Sequence, residues 1–96
     1  TGFPSGMDYG SASLERFVGD VQRFKKIRMN GSAALAAAYV AAGRADVYTE
    51  KSIKLWDIAG ALALIQAAGG HVSMQAVPGK PYAYDACFAG RAEWLV

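Results

Sequence analysis

Two places in this 96-residue chain combine residue types and spacing that could do chemistry. The first is a pair of carboxylates, Glu50 and Asp57, with Trp56 immediately before Asp57. Glu50 closes a strand-like stretch and Asp57 stands at the head of an apolar helical run. An aspartate so placed can point outward as a ligand for a hard divalent cation. In open α/β sheets, ligands collect beyond the carboxyl ends of strands, where both residues should lie. An aspartate ahead of a helix also has a plainer use, accepting backbone N–H bonds as a cap, and both uses stay open for Asp57. The second place is Asn30-Gly31-Ser32-Ala33-Ala34, a strand-to-helix turn of small residues. Free N–H groups at a helix N-terminus attract anions and hydroxyl oxygens, and small side chains let a ligand approach. Many such turns bind nothing, so a purely structural role stands beside the functional one. His71 follows a glycine pair and has no second histidine to work with. No Ser-His-Asp arrangement presents itself.

The elements that must hold these residues follow from periodicity. Thr1 to Ser5 reads as a short strand that ends in a turn at Pro4-Ser5-Gly6. Leu14, Phe17, Val18, Val21 and Phe24 recur at helical spacing across Ser11 to Phe24. Lys25 to Met29 is extended. Asn30 or Ser32 caps a second helix, Ala33 to Ala42, which Gly43 closes. Ala45 to Glu50 forms a strand, with Asp46, Tyr48 and Glu50 on one side. Lys51 to Leu55 is a loop before Trp56-Asp57 and a third helix, Ile58 to Ala68, apolar almost all round and therefore buried on more than one side. Gly69-Gly70 stops that helix. His71 to Gln75 is a strand, Val77 to Pro81 a turn, and Tyr82 to Ala89 a final strand. Arg91 to Val96 starts a further helical turn. The alternation predicts a single α/β domain over residues 1–96, a three-layer α/β/α sandwich with a central mixed sheet.

Composition narrows the function classes. Hydrophobic residues make up 53% of the chain, enough for a core, although alanine and glycine supply much of that share. A net charge of +2, with Lys25, Lys26 and Arg28 as the only basic cluster, argues against nucleic acid as a partner. No apolar run is long enough to span a bilayer. The single cysteine, Cys87, excludes an internal disulfide and fits a reducing, cytoplasmic setting. Its apolar flank marks it as a core thiol rather than a nucleophile. The first residue is threonine, not methionine, which fits a piece of a longer protein.

Taken in order, several segments resemble the C-terminal half of the inositol monophosphatase family. Ile27-Arg28-Met29-Asn30-Gly31-Ser32-Ala33-Ala34-Leu35 is similar to that family's R-x-x-G-[ST]-A-A-x segment. Tyr39 to Tyr48 resembles the helix end and strand that follow. Trp56-Asp57-Ile58-Ala59-Gly60, with Gln66-Ala67-Ala68-Gly69-Gly70, resembles the W-D-x-A-[AG]…E-A-G-G signature, and Thr1-Gly2-Phe3-Pro4 the strand that opens this half. Gln66 stands where glutamate is usual, and Phe88-Ala89-Gly90-Arg91 replaces a V-x-A-S-N-like strand end.

The resemblance implies Mg²⁺-dependent hydrolysis of a small-molecule phosphate ester, an inositol monophosphate or a similar polyol phosphate. It implies that Asp57 is a metal ligand, that Glu50 accepts a substrate hydroxyl, and that the N–H groups of Gly31, Ser32 and Ala33 face the substrate. The family's other metal carboxylates, in G-E and D-P-x-D-G-T segments, have no counterpart here. Magnesium would therefore need ligands from an N-terminal half, and this chain alone should be inactive, with no complete catalytic set. The resemblance also implies a homo-oligomer, a dimer. Two alternatives remain. One is a non-catalytic polyol- or phosphate-binding module. The other is a relative acting on fructose bisphosphate, histidinol phosphate or phosphoadenosine phosphate.

Overall fold

The computed structural model describes Thr1 and residues 10–95. The strand and turn expected over Thr1 to Gly6 lie outside the described residues, apart from Thr1 itself. The elements, in chain order, are α1 (Ser11–Arg23), α2 (Ala33–Ala41), β1 (Val47–Lys54), α3 (Leu55–Ala67), β2 (His71–Ala76) and β3 (Ala83–Ala89), followed by a 3₁₀ turn, Ala92–Trp94. Residues 26–30 join neither helix nor sheet.

Both alanine-rich helices end on glycine. After α2, Gly43 takes φ +77°, its N–H reaches the Val40 carbonyl at 3.1 Å, and Arg44 N–H reaches that of Tyr39 at 2.8 Å. After α3, Gly69 takes φ +80°, and Gly69 and Gly70 repeat the same pair of bonds to Gln66 and Ile65. This arrangement satisfies the carbonyls that a helix C-terminus leaves open. The second glycine of the pair answers a different need. A Cβ on Gly70 would lie 2.7 Å from Ile65 Cγ2 and 3.3 Å from the Ala89 carbonyl oxygen, so the chain passes where only glycine fits.

The sheet runs β1-β3-β2, with the last strand in sequence at its centre. Both ladders are antiparallel, pairing Tyr48 with Phe88 on one side of β3 and Val72 with Phe88 on the other. The α/β class and the resemblance to the inositol monophosphatase fold hold, but the mixed sheet does not, among the described residues. β1 and β2, joined through α3, run the same way, each antiparallel to β3. The β2–β3 hairpin then inserts β3 between them, so no parallel neighbours meet. That hairpin turns at Val77-Pro78-Gly79-Lys80, where Gly79 has φ +75° and Lys80 N–H bonds the Val77 carbonyl at 3.2 Å. Proline followed by a positive-φ glycine is what a type II turn requires.

The core lies on one face of this sheet. Tyr48, Ile53, Ala86 and Phe88 meet Ala36, Ala37 and Val40 of α2 and Ile58, Ala61 and Ile65 of α3. The packed layer of α2 and α3 therefore covers this face. Small residues on both helices permit the close approach that large sheet residues fill. By contrast, α1 buries no residue, and Leu14, Val18 and Val21 stay exposed along it.

Candidate functional site

The site is built around an irregularity in β1. Opposite the single residue Asp85 of β3, β1 carries two residues, Lys51 and Ser52, between the pairs Glu50–Ala86 and Ile53–Tyr84. An extra residue of this kind is a β-bulge, and it shifts the alternation of side chains by one. Tyr48, Glu50 and Ile53 consequently share the helix-covered face, although strict alternation would turn Ile53 away. Asp85 holds the bulge with both oxygens. Its Oδ1 accepts from Ser52 N–H at 3.0 Å, and its Oδ2 lies 3.8 Å from Lys51 Nζ. Ser52 adopts φ +55° there, a left-handed conformation uncommon for a residue with a side chain.

Glu50 is half-buried beneath this bulge. Tyr48, two residues earlier on the same face, donates its hydroxyl to Glu50 Oε1 at 3.0 Å. The Tyr48 ring, 2% exposed, stacks on its cross-strand partner Phe88, with centroids 5.8 Å apart and planes within 6°. Burial pushes the Glu50 carboxyl above its ordinary range. The Tyr48 hydroxyl and the Thr1 ammonium pull it back, and the charge of Asp57 adds to the rise. Burial also drives the Tyr48 phenol far up, reinforced by the charge of Glu50, its hydrogen bond, and Asp57. Glu50, Tyr48 and Asp57 thus form one electrostatic neighbourhood.

Asp57 arrives there by a different route from the expected one. The predicted loop at Lys51 to Leu55 is strand as far as Lys54, and α3 begins at Leu55, so Asp57 lies inside the first turn of the helix. It is therefore not the N-cap. That position is Lys54, which makes no side-chain cap bond. Asp57 is exposed and well placed for the partial positive charge at a helix N-terminus. Leu55 N–H is met instead by the Tyr82 carbonyl at 2.9 Å. The ring of Tyr82 lies against that of Trp56, with centroids 6.1 Å apart.

The turn before α2 has the expected form. Gly31 takes φ +73°, and Ser32, not Asn30, is the cap, its hydroxyl accepting from Leu35 N–H at 3.1 Å. The N–H groups at the start of that helix have no intrahelical partner by construction. The Thr1 ammonium donates to the Arg28 carbonyl at 3.1 Å, and its charge reaches Glu50. The segment leading into the turn therefore runs past the Glu50 neighbourhood. Gly31 and Ser32 are exposed, and Ala33 is half-buried.

No three His, Cys, Asp or Glu residues among those described gather in a metal-binding group. Asp57 is a suitable single oxygen donor for magnesium. One exposed carboxylate, with Glu50 already engaged by Tyr48, is fewer donors than the near-octahedral shell of magnesium takes. His71 is exposed at the start of β2, away from any such cluster, and Cys87 is a buried thiol in β3. Sequence reasoning assigned no role to Tyr48 or Asp85. The i, i+2 spacing of Tyr48 and Glu50 on one strand face was the available signal for the first. The bulge that brings in Asp85 leaves no local signature.

Comparison with known proteins shows the family. A profile of the inositol monophosphatase family matches residues 8–92. The chain is 45% identical over 73 residues to the Nus factor SuhB of Xylella fastidiosa, covering 75% of this chain and 26% of that protein. Over 67 residues it is 44% identical to the fructose-1,6-bisphosphatase/inositol-1-monophosphatase of Thermotoga maritima, covering 70% and 25%. Among solved structures, a staphylococcal IMPase-II superposes with a TM-score of 0.72 at 25% identity, over 94% of this chain and 35% of that one. The chain thus spans about a quarter of the length of these curated relatives. On the match over residues 8–92, this chain belongs to the inositol monophosphatase family.

Proposed function

We propose that this chain is the C-terminal, substrate-facing domain of a Mg²⁺-dependent phosphomonoesterase that hydrolyses an inositol monophosphate or a similar polyol phosphate. The observation that carries this reading is the family match over residues 8–92, together with Glu50 in β1 and Asp57 in the first turn of α3, the element that follows directly. Glu50 is the acceptor for a substrate hydroxyl, and the N–H groups of Gly31, Ser32 and Ala33 orient the substrate. Asp57 supplies one carboxylate to a cation whose remaining ligands come from an N-terminal half. The cation, when bound, neutralises phosphoryl charge and activates water.

The chain alone is expected to be inactive. A phosphatase assay with Mg²⁺ on the purified 96-residue chain checks this, and robust turnover would overturn it. With the complete gene product, a panel of inositol monophosphate, fructose 1,6-bisphosphate, histidinol phosphate and 3′-phosphoadenosine 5′-phosphate identifies the ester. The relatives' names include both inositol-1-monophosphatase and fructose-1,6-bisphosphatase, so these two head the panel.

The exposed turn at Gly31 and Ser32, whose N–H groups can hold a hydroxyl without a metal, supports one second reading, a polyol-binding module without chemistry. Metal-independent binding of inositol phosphate to the chain, measured by calorimetry, would support it. The exposed apolar stripe of Leu14, Val18 and Val21 on α1 supports self-association into a dimer. Light scattering at high concentration tests that, and a clean monomer counts against it. We place the protein in the cytoplasm, the reducing setting that a chain with one cysteine fits.

A further inference from the structure

We infer that Tyr48 is a positioning residue for Glu50, holding one carboxylate oxygen so that the other is presented to a single hydroxyl of a polyol ligand. The inference rests on the proposed role of Glu50 as a hydroxyl acceptor. It starts from how little freedom Tyr48 has. Its ring is 2% exposed and stacked on Phe88 directly across the ladder, so the phenol oxygen has a fixed location. Glu50 lies two residues along the same face and receives that hydroxyl on Oε1 at 3.0 Å.

A glutamate has three rotatable side-chain bonds, and on an open strand it would sample several rotamers. Anchoring Oε1 to an immobile donor leaves Oε2 and its lone pairs for a ligand, in a direction set by the protein rather than by the ligand. A hydrogen bond to a charged acceptor is also stronger than a neutral one. Preorganisation of this kind lowers the ordering cost of binding. It also narrows the ligand class, because the carboxylate offers one free oxygen and suits one equatorial or terminal hydroxyl better than a chelating diol.

The geometry has a consequence for proton binding. Besides Tyr48, whose hydroxyl favours the carboxylate form, the charged side chain that acts on Glu50 is Asp57, which disfavours it. Removing the hydroxyl therefore raises the pH below which Glu50 loses its charge.

The test uses the complete gene product with inositol monophosphate as the probe. Substrate affinity is read as KM, and as Kd by calorimetry, across a pH series. Tyr48→Phe keeps the ring stack and removes only the hydroxyl. It should raise KM and Kd about ten-fold with kcat changed less than about two-fold, and move the acid limb of the affinity profile to higher pH. Glu50→Gln, which can still accept the Tyr48 bond, should weaken affinity and abolish that acid limb. Unchanged affinity in Glu50→Gln would refute the role of Glu50 itself. Weakened affinity in Glu50→Gln with an unchanged KM and pH profile in Tyr48→Phe would overturn the positioning role alone. A Tyr48→Phe protein that loses kcat and thermal stability together, with no shift of the acid limb, would mark Tyr48 as merely structural and overturn it as well.

Discussion

Asp57 and Glu50 are both acidic and lie close in space, yet their surroundings give them different properties. Asp57 is exposed in the first turn of α3, where its side chain contributes little to packing. Asp57→Asn should therefore leave thermal stability within about 0.5 kcal/mol. In the complete gene product, the same change should cut Mg²⁺-dependent turnover by about a hundred-fold or more, measured in a magnesium titration. Glu50 is half-buried, and its carboxyl is held above the ordinary range chiefly by that burial. The folded state then binds the proton more tightly than the unfolded state, so this residue's contribution to stability falls as pH rises through the interval between the unfolded and folded values. Glu50→Gln should raise the melting temperature at about pH 7 and have no such effect at about pH 3, where both states are protonated. Equal shifts at the two pH values would contradict this.

At the scale of elements, the glycine after α3 and the bulge in β1 are the points where local geometry is most constrained. A methyl group at residue 70 would meet Ile65, which is fully buried, and two backbone oxygens just beyond it. Gly70→Ala should destabilise the fold by about 1–3 kcal/mol in denaturant unfolding. Asp85→Ala removes the acceptor for Ser52 N–H and frees the bulge, at about 1–2 kcal/mol. It should also weaken substrate affinity through Glu50, which the bulge sets in register. The helix ends at Gly43 and Gly69-Gly70 and the Val77 to Pro81 turn were legible in the sequence, because each rests on a residue whose own backbone preference fixes it. The β1–α3 junction was not. Lys51 to Lys54 has no apolar alternation, and the strand persists there because Ile53 and Lys54 pair with Tyr84 and Ala83 of β3 and Asp85 holds Ser52, all far away in sequence. Glu50 and Asp57 could be named in advance from their residue types and flanking pattern, whereas the bulge between Glu50 and Ile53 could not. The antiparallel order of the sheet was hidden too, since a hairpin that inserts its second strand looks locally like one that adds to an edge.

For the molecule as a whole, the sheet order carries a consequence for how the chain acquires its shape. Neither β1 nor β2 has a ladder partner among the described residues except β3. As the polypeptide is synthesised, β1 and α3 are complete long before residues 83–89 exist, and until then the future outer strands have nothing to bond to. Helix α2 can pack on α3 early, but the face they cover cannot close until the central strand threads between its neighbours. Such late, non-local pairing slows folding relative to helical packing. A chain ended after Lys80 should therefore show helical circular dichroism without sheet, protect its β1 amides poorly against hydrogen exchange, and aggregate through two unpaired strand edges. Native-like amide protection in β1 of that shortened chain would contradict the view that its final strand is the keystone of the sheet.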